Sequence, residues 1–493
     1  MSVDAHAFAP AHELRALLAT GKVSSVDLVE MYLGRIERHN PTLNAVITVD
    51  AARARREAKE SDRVRAESPG DVGPLHGLPI TVKDSYETAG MRTSCGREDL
   101  RYNVPTRDAV AVERLRAAGA VIMGKSNMPP GNQDVQADNP LFGPTNNPWN
   151  LSKTSGGSAG GGAVATAAAL AAFDFASEIG GSTRVPSHFN GLYGHKATCR
   201  SIPLVGHISP GPGVQRWSEP DLACAGAQVR DARDLVSILD ATTGALDRDG
   251  GFSYTLSPPR ATVLSGFRVA AWYEDEDCPV DSDVRAAMQT AIDSLREAGA
   301  TVDVHPSAIP VTISESHNAF HPLLFSQLGA DRSGMTPAFG AATAARIMQN
   351  PRGDAFRAFH GTFLSHYAWM EADALRQEIR ERWVRFFEQY DIVLMPVSPT
   401  TAPDHHGKLN DKFGRKFEVD NRRRPYWDQI KWCGVANVSG SPATTVPVGR
   451  TPAGLPVGVQ AMGPVGGDLT TIEFAALLGE RLEGYRRPPG FDL

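Results

Sequence analysis

The chain has 493 residues, of which 41% are hydrophobic and 22% are charged, and its formal net charge is −6. A mildly acidic chain offers no electrostatic footprint for nucleic acid or an anionic membrane, so neither is predicted as a partner. No apolar run reaches the roughly 18 residues of a membrane span, and the first residues lack a secretory pattern. Five scattered cysteines without metal-ligand spacing predict a reduced cytoplasmic protein without a metal.

The first predicted element is an amphipathic helix near the start of the chain. Ser24 and Asp27 fit a capping box, and apolar residues at helical spacing follow them. We predict an N-terminal helical arm over residues 1–61. The remaining residues 62–493 are then predicted to form a single catalytic body, because chains rich in α/β units often build one large layered domain.

A short apolar strand is predicted at residues 78–82, and it ends at Lys83 in the segment Gly77-Leu-Pro-Ile-Thr-Val-Lys-Asp84. Functional side chains often lie at such strand ends in α/β sheets. A lysine acts as a general base only where burial or a cationic neighbour keeps its amine neutral. Taken alone, Lys83 is better explained as a structural lysine paired with Asp84.

Gly119-Ala-Val-Ile-Met-Gly-Lys-Ser126 matches the phosphate-loop pattern of nucleotide-binding proteins. A true phosphate loop follows a strand and precedes a helix. Here the pattern predicts a helix over 108–118, a cap at Gly119 and then an apolar strand, and two prolines at 129 and 130 block a following helix. The order is reversed, so nucleotide binding is not favoured.

Two serines set among glycines carry the strongest chemical signal. Ser158 lies in Ser155-Gly-Gly-Ser-Ala-Gly-Gly-Gly162, and Ser182 lies in Ile179-Gly-Gly-Ser-Thr-Arg184. Glycines let backbone N–H groups approach an acyl oxygen closely. The first segment also fits the nucleophile elbow of esterases, with Ser158 as nucleophile and distant Asp and His partners. An elbow needs a preceding hydrophobic strand, whereas residues 145–154 are polar and are predicted to be a loop before a buried helix over 163–173.

Further along, the pattern predicts a strand at 268–273, a helix at 283–298 and a strand at 301–305, which is a parallel crossover unit. A long helix at 367–390 then leads into a strand at 392–395. We therefore predict an α/β fold with a central mixed, mostly parallel β-sheet flanked by helices on both faces.

Two segments, about 306–363 and 404–424, lack a clear pattern, and such irregular stretches often carry substrate contacts. His317 and His321 have helical i, i+4 spacing, but with no third ligand evident we interpret them as surface or pocket histidines. Basic residues in the second segment, among them Arg415, alternate with acidic ones. This charge run predicts a solvated flap.

The segments around Lys83, Ser158 and Ser182 together resemble the amidase signature family. Its members have a Gly-Leu-Pro-x-x-x-Lys-Asp stretch, a Gly-Gly-Ser-Ser-Gly-Gly stretch, and a Gly-Gly-Ser-x-Arg stretch with the same 24-residue interval between the serines. The likeness covers most of the chain and is weak only between about residues 306 and 428. Departures from the family pattern include Ala159 for the second serine and Glu178 for the usual aspartate.

The resemblance implies that Ser182 is the nucleophile and that Ser158, on a cis peptide, relays its proton to a neutral Lys83. It also implies an oxyanion hole and no metal or organic cofactor. The oxyanion hole consists of the backbone N–H groups of Ile179, Gly180, Gly181 and Ser182. Asn132, with apolar residues around Phe320, Leu323 and Phe325, is our candidate for the acyl pocket.

We therefore predict an amidase that hydrolyses a carboxylic amide through a serine acyl-enzyme, with a small-molecule amide as its partner and no nucleic acid. Esters and carbamates stay open as substrates, as does a homo-oligomeric state. The resemblance also reaches the glutaminase-type amidase subunit of tRNA-dependent amidotransferases, which is the first alternative. The second is a Ser-His-Asp esterase that uses Ser158.

Overall fold

The computed structural model describes residues 3–68, 70, 72–208, 219–246, 249, 253–330, 337–407, 409–482 and 484–491. Its helices are α1 Ala11–Ala19, α2 Ser25–Leu43, α3 Ala51–Glu67, α4 Val110–Ala117, α5 Gly160–Ala167, α6 Arg184–Asn190, α7 Asp234–Thr242, α8 Ser282–Glu297, α9 Ile313–Gly329, α10 Pro337–Gln349, α11 Asp354–Thr362, α12 His366–Gln389, α13 Lys431–Ser439 and α14 Asp468–Arg481. Its strands are β1 Val46–Val49, β2 Pro79–Lys83, β3 Val121–Ser126, β4 Asn146–Asn147, β5 Asn150–Thr154, β6 Asp174–Glu178, β7 Tyr193–Lys196, β8 Cys224–Val229, β9 Arg268–Ala271, β10 Thr301–Val304, β11 Ile392–Pro396, β12 Lys416–Val419, β13 Arg422–Pro425, β14 Ala443–Arg450 and β15 Pro456–Met462.

Eleven strands form one sheet in the order β1-β3-β2-β6-β8-β7-β14-β15-β11-β9-β10. The prediction of a mixed sheet flanked by helices is confirmed, but its balance differs from the expected one. Four pairings are parallel, β2 with β3 and β6, and β9 with β10 and β11. The other six pairings in the sheet are antiparallel, so the expectation of a mostly parallel sheet is wrong. Apolar runs predict that a strand is buried, but they do not encode its direction.

Several predicted elements are confirmed along the chain. The Ser24 and Asp27 capping box opens α2. The crossover unit is present as β9, α8 and β10, with β10 parallel to β9 and Thr301 opposite Arg268. The long helix α12 leads into β11 as expected. In the first segment, β1 pairs with β3 of the main sheet, and the division at residue 61 stays a prediction.

The polar stretch before Ser158 is not a loop. Residues 146–154 form the small antiparallel hairpin of β4 and β5, in which Asn147 donates its side-chain amide to Thr154 O at 3.2 Å. Polar asparagines that bond the backbone can thus build a short hairpin without an apolar pattern. The helix after Ser158 is also shorter than predicted, because α5 ends at Ala167.

The segment that resembles a phosphate loop is a helix followed by a strand, as the sequence predicts. Helix α4 precedes Gly119, which has a φ of +89°, and β3 follows. The Lys125 side chain is fully buried and donates to Tyr86 O and, at 2.8 Å, to Thr88 Oγ1. Its amine is therefore part of the packed core.

Two interior strands, the third and fourth of the sheet counted from β1, bring their ends together. Strands β2 and β6 run parallel, with Thr81 opposite Asp174 and Val82 opposite Phe175. Every residue of both strands is buried. Because parallel strands end at the same edge of a sheet, Lys83 at the end of β2 lies beside the end of β6.

We expect Val82→Ala to destabilise the protein far more than Val49→Ala. Val82 is fully buried on the interior strand β2, whereas Val49 on the edge strand β1 is 40% exposed. Loss of two buried methyl groups and the resulting cavity should lower the free energy of unfolding by about 2 kcal/mol or more. Thermal unfolding of both variants checks this, and equal melting temperatures would contradict the burial of Val82 in the core.

Candidate active site

The Lys83 amine lies in the interior with only short polar contacts. Its side chain is fully buried. Nζ lies 2.7 Å from Ser158 Oγ, 2.9 Å from Ser177 O and 3.3 Å from Ser177 Oγ. Burial lowers the pKa of Lys83 to about 7, although Cys95, Asp174 and Glu178 favour its charged form. A large fraction of the amine is therefore neutral near neutral pH, which a general base requires.

Ser158 follows a cis peptide bond after Gly157, as the resemblance predicts. Gly157 packs so closely that a Cβ atom on it would lie 2.4 Å from the backbone nitrogen of Gln136. Only glycine fits at this position. The next residue, Ala159, donates its backbone N–H to Ser182 O at 3.0 Å, which ties the two serine segments together.

Ser182 lies in the turn between β6 and α6, and it lines the same cavity as Lys83 and Ser158. Gly181 before it has a φ of +105°, a conformation that side chains rarely adopt. The Gly181 N–H donates to Glu178 Oε1 at 3.1 Å. For the N–H groups of Ile179, Gly180 and Ser182, the described part of the chain supplies no acceptor.

A buried ion pair stabilises the turn that carries Ser182. Arg184 and Glu178 both have fully buried side chains, and Arg184 Nε lies 3.1 Å from Glu178 Oε2. Arg184 also donates to Cys433 O at 3.0 Å and to Asn437 Oδ1 at 2.7 Å, both in α13. Burial opposes the charge of Glu178, but the Arg184 guanidinium outweighs it and lowers the pKa of that carboxyl. The pair therefore braces the turn that carries Ser182.

Asn132 lines the cavity with Lys83, Ser158 and Ser182. Its backbone is left-handed, with a φ of 63°, and its buried Oδ1 atom has no hydrogen-bond partner in the described structure. Of the apolar candidates, Phe320 is fully buried and packs against Gly180 beside this cavity, and Leu323 is fully buried in the core. Phe325 lines a separate apolar cavity.

The sequence missed several residues of this site. Ser177 and His207 line the cavity beside Lys83, and His207 Nε2 lies 2.8 Å from Ser177 Oγ. Leu328 from α9 also lines it, so the 306–363 segment does supply a wall. The expectation that this segment is irregular is wrong, because its described residues form helices α9, α10 and α11. Ser177 could have been suspected because it directly precedes Glu178 in the strand, but no sequence pattern marks His207.

The predicted flap is partly an interior structure. Arg415 is only 5% exposed, and its Nη1 atom lies 2.8 Å from Asp134 Oδ2. The Tyr426 hydroxyl donates to Asp134 Oδ1 at 2.6 Å. Asp134 borders a cavity that also contains Ser182. The expectation of a fully solvated flap is wrong for Arg415, because a partner 281 residues away neutralises it.

The two histidines of α9 lie side by side with their ring centroids 5.0 Å apart. Among the residues that the structure describes, no group of three or more His, Cys, Asp and Glu side chains is arranged to hold a metal ion. In the same residues, every helix is too short or too polar to cross a membrane.

Comparison with known proteins agrees with this geometry. A family model described as Amidase matches residues 27–472. A glutamyl-tRNA(Gln) amidotransferase subunit from Symbiobacterium thermophilum is 32% identical over 488 residues, covering 94% of this chain and 95% of the relative. The protein of the same name from Cupriavidus necator is 30% identical, covering 99% and 100%. A solved structure of 6-aminohexanoate cyclic dimer hydrolase is 25% identical, with a TM-score of 0.79 over 98% of this chain and 99% of that chain.

These relatives overturn one prediction from the sequence. Their name describes one subunit of an enzyme that acts on a tRNA, which contradicts the expectation of a small-molecule amide alone and no nucleic acid. The net charge of −6 describes a single chain, and in a multi-subunit enzyme another subunit can carry the basic surface. With the family match over most of its length, the chain belongs to the amidase signature family and is a hydrolase that acts on C–N bonds.

Proposed function

We propose that the chain hydrolyses a carboxylic amide through an acyl-enzyme on Ser182. The observation that carries this proposal is the buried 2.7 Å contact between Lys83 Nζ and Ser158 Oγ, in a cavity shared with Ser182. Ser182 Oγ attacks the amide carbon, while its proton passes to Ser158 and the Ser158 proton passes to Lys83. The protonated amine then returns a proton through Ser158 to the departing nitrogen, and water repeats the sequence on the ester.

The negative oxygen formed during this attack needs backbone donors. We assign that role to the N–H groups of Ile179, Gly180 and Ser182, which have no other acceptor among the described residues. Gly181 contributes differently, because its N–H is held by Glu178. Its positive φ shapes the turn instead.

We further propose that the chain serves as the amide-hydrolysing subunit of an amidotransferase, releasing ammonia from glutamine. Relatives of that name share 30–32% identity over nearly the full length of both chains, which supports this role over a stand-alone amidase. The esterase alternative is not favoured, because the close partner of Ser158 Oγ is a lysine amine.

The residues that line the cavity indicate which amide it can bind as the ammonia donor. A glutamine head group carries one carboxylate and one ammonium group, and Arg415 with Asp134 offers the two opposite charges beside the Ser182 cavity. In the structure these two side chains bond each other, so binding a head group requires them to exchange partners. Leu324, Leu328 and Ile430 line the same cavity and favour a second candidate, an amide with an apolar acyl group.

A paired assay separates the two donors. We expect ammonia from glutamine, with a higher rate once an aminoacyl-tRNA and the partner subunits are supplied, and little from hexanamide. Labelling with a fluorophosphonate counts the active sites in each preparation. If the protein hydrolyses hexanamide but not glutamine under every condition, the proposed amidotransferase role is wrong. The proposed acyl-enzyme mechanism would still hold.

Ser182→Ala should abolish both amide hydrolysis and fluorophosphonate labelling. The acyl-enzyme needs this oxygen, so we expect a loss on the order of 10⁴-fold or more. Ser152→Ala, an exposed serine in β5, is the matched control and should keep the wild-type rate. Mass spectrometry that located the adduct on Ser158 would contradict the assignment.

The acylation rate should rise with pH to a plateau, with a midpoint near the Lys83 pKa of about 7. The sign follows from the mechanism, because only the neutral amine accepts a proton and its fraction grows above the pKa. Lys83→Ala should lower the rate by roughly 10²–10⁴-fold. Lys83→Arg should not rescue it, because a guanidinium stays charged.

Lys153→Arg provides the control for this lysine series, since Lys153 lies at the protein surface in an ion pair with Asp404. It should keep both the rate and the pH midpoint. Near-native turnover by Lys83→Arg would show that the lysine only positions other groups.

A further inference from the structure

We propose that His207 is a positioning residue that acts through Ser177 to aim the lone pair of the Lys83 amine at Ser158. The inference rests on the proposed function, in which Lys83 accepts the Ser158 proton. It concerns a residue that lies 124 positions from Lys83 in the chain and belongs to none of the motifs in the sequence.

The contacts form a continuous buried chain. His207 is 5% exposed, and its Nε2 atom lies 2.8 Å from Ser177 Oγ. Ser177 in turn contacts Lys83 Nζ twice, through its carbonyl oxygen at 2.9 Å and its hydroxyl at 3.3 Å. Lys83 then contacts Ser158 Oγ at 2.7 Å. A change at His207 can therefore reach the base through one side chain.

Counting hydrogens shows why this chain matters. A neutral lysine amine has two N–H donors and one lone pair. Its three close partners are Ser158 Oγ, Ser177 O and Ser177 Oγ. The carbonyl can only accept, so it takes one N–H. One of the two hydroxyls must then accept the second N–H, while the other donates to the lone pair. These contacts alone do not decide which hydroxyl does which.

His207 makes this choice. When the Ser177 hydroxyl donates its single hydrogen to His207 Nε2, its oxygen can only accept from Lys83. Ser158 is then the hydroxyl that donates to the lone pair, which is the direction that proton transfer requires. Without an acceptor at 207, the Ser177 hydroxyl can turn to the lone pair and compete with Ser158.

The state of the ring agrees with this arrangement. Burial, together with Lys83 and Lys125, lowers the pKa of His207 to about 3, so the ring is neutral at working pH and one nitrogen can accept. The inference takes the tautomer that carries its hydrogen on Nδ1, so that Nε2 accepts from Ser177. Nδ1 is buried and has no hydrogen-bond partner in the described structure, so no contact there imposes the opposite tautomer. Tyr86 packs edge-on against the ring at 5.0 Å and holds its orientation.

The test compares variants that remove or keep the acceptor at 207. We expect His207→Phe to lower kcat for glutamine hydrolysis by roughly 10–100-fold, a part of the contribution of a positioned base, with KM nearly unchanged. His207→Gln offers an acceptor oxygen in its place and should stay within about threefold of the wild type. Thermal unfolding monitors folding, and His366→Phe, the same exchange at an exposed histidine of α12, is the matched control and should keep the wild-type rate.

Removal of Ser177 provides the decisive readout. Ser177→Ala eliminates the competing hydroxyl, so the double variant Ser177→Ala with His207→Phe should be faster than His207→Phe alone and match Ser177→Ala. A purely structural role of His207 predicts the opposite, that the two losses multiply. That result, or a His207→Gln variant as slow as His207→Phe, would overturn the inference.

Two further comparisons keep the test complete. If His207→Phe does not fold, the exchange His207→Gln in the Ser177→Ala background should change kcat by less than about twofold, and a larger loss overturns the inference. Lys83→Ala separates this proposal from the proposed function. If Lys83→Ala stays active, the general-base mechanism is wrong. If Lys83→Ala is inactive but His207→Phe keeps the wild-type rate, only the proposed role of His207 is wrong.

Discussion

Removal of the Lys83 amine from water is the constraint on which the rest of the site depends. Burial disfavours its charge, while Asp174 and Glu178 favour it, and burial prevails. The Arg184 ion pair matters here, because a buried Glu178 carboxylate without a counter-charge would stabilise the protonated lysine. Asp174 is restrained differently, since burial raises its pKa to about 7 and its carboxyl is only partly ionised near neutral pH. Pairing of Glu178 and partial protonation of Asp174 thus limit how far these acids favour the charged form of Lys83.

This electrostatic arrangement also explains glycines that have no direct chemical role. A Cβ atom on Gly162 in α5 would lie 2.0 Å from Asp174 Oδ2. Helix α5 can therefore pack this closely against β6 only because residue 162 is glycine. The glycine run after Ser158 therefore serves packing around Asp174 as well as the geometry of the serine. In such a motif, a few adjacent residues both position the serine and allow close packing of the helix that follows.

Such local motifs are the part of the site that the sequence could predict. Lys83, Ser158 and Ser182 share one cavity, and each lies in a short sequence pattern that marks it without knowledge of the fold. Ser177 with His207, and Asp134 with Arg415, are pairings of residues far apart in the chain, and no local pattern encodes them. For the same reason the apolar pattern predicts strands β9 to β11 correctly but does not predict which neighbouring strands run antiparallel.

The residues of the proposed relay and the residues that form the cavity walls come from different parts of the fold, and this bears on which amide the protein binds. Lys83 ends β2 and Ser177 lies on β6, two buried interior strands of the sheet. Ser182 lies in the turn after β6, and Ser158 lies between β5 and α5. The walls around them come from α9 and from the segment that carries Arg415 and Tyr426, which are the regions with the weakest sequence pattern. Relatives named for a tRNA amidotransferase subunit and for a cyclic dimer hydrolase share 25–32% identity with this chain over nearly its full length. Under the proposed mechanism, the walls are therefore where the choice of acyl group is to be tested.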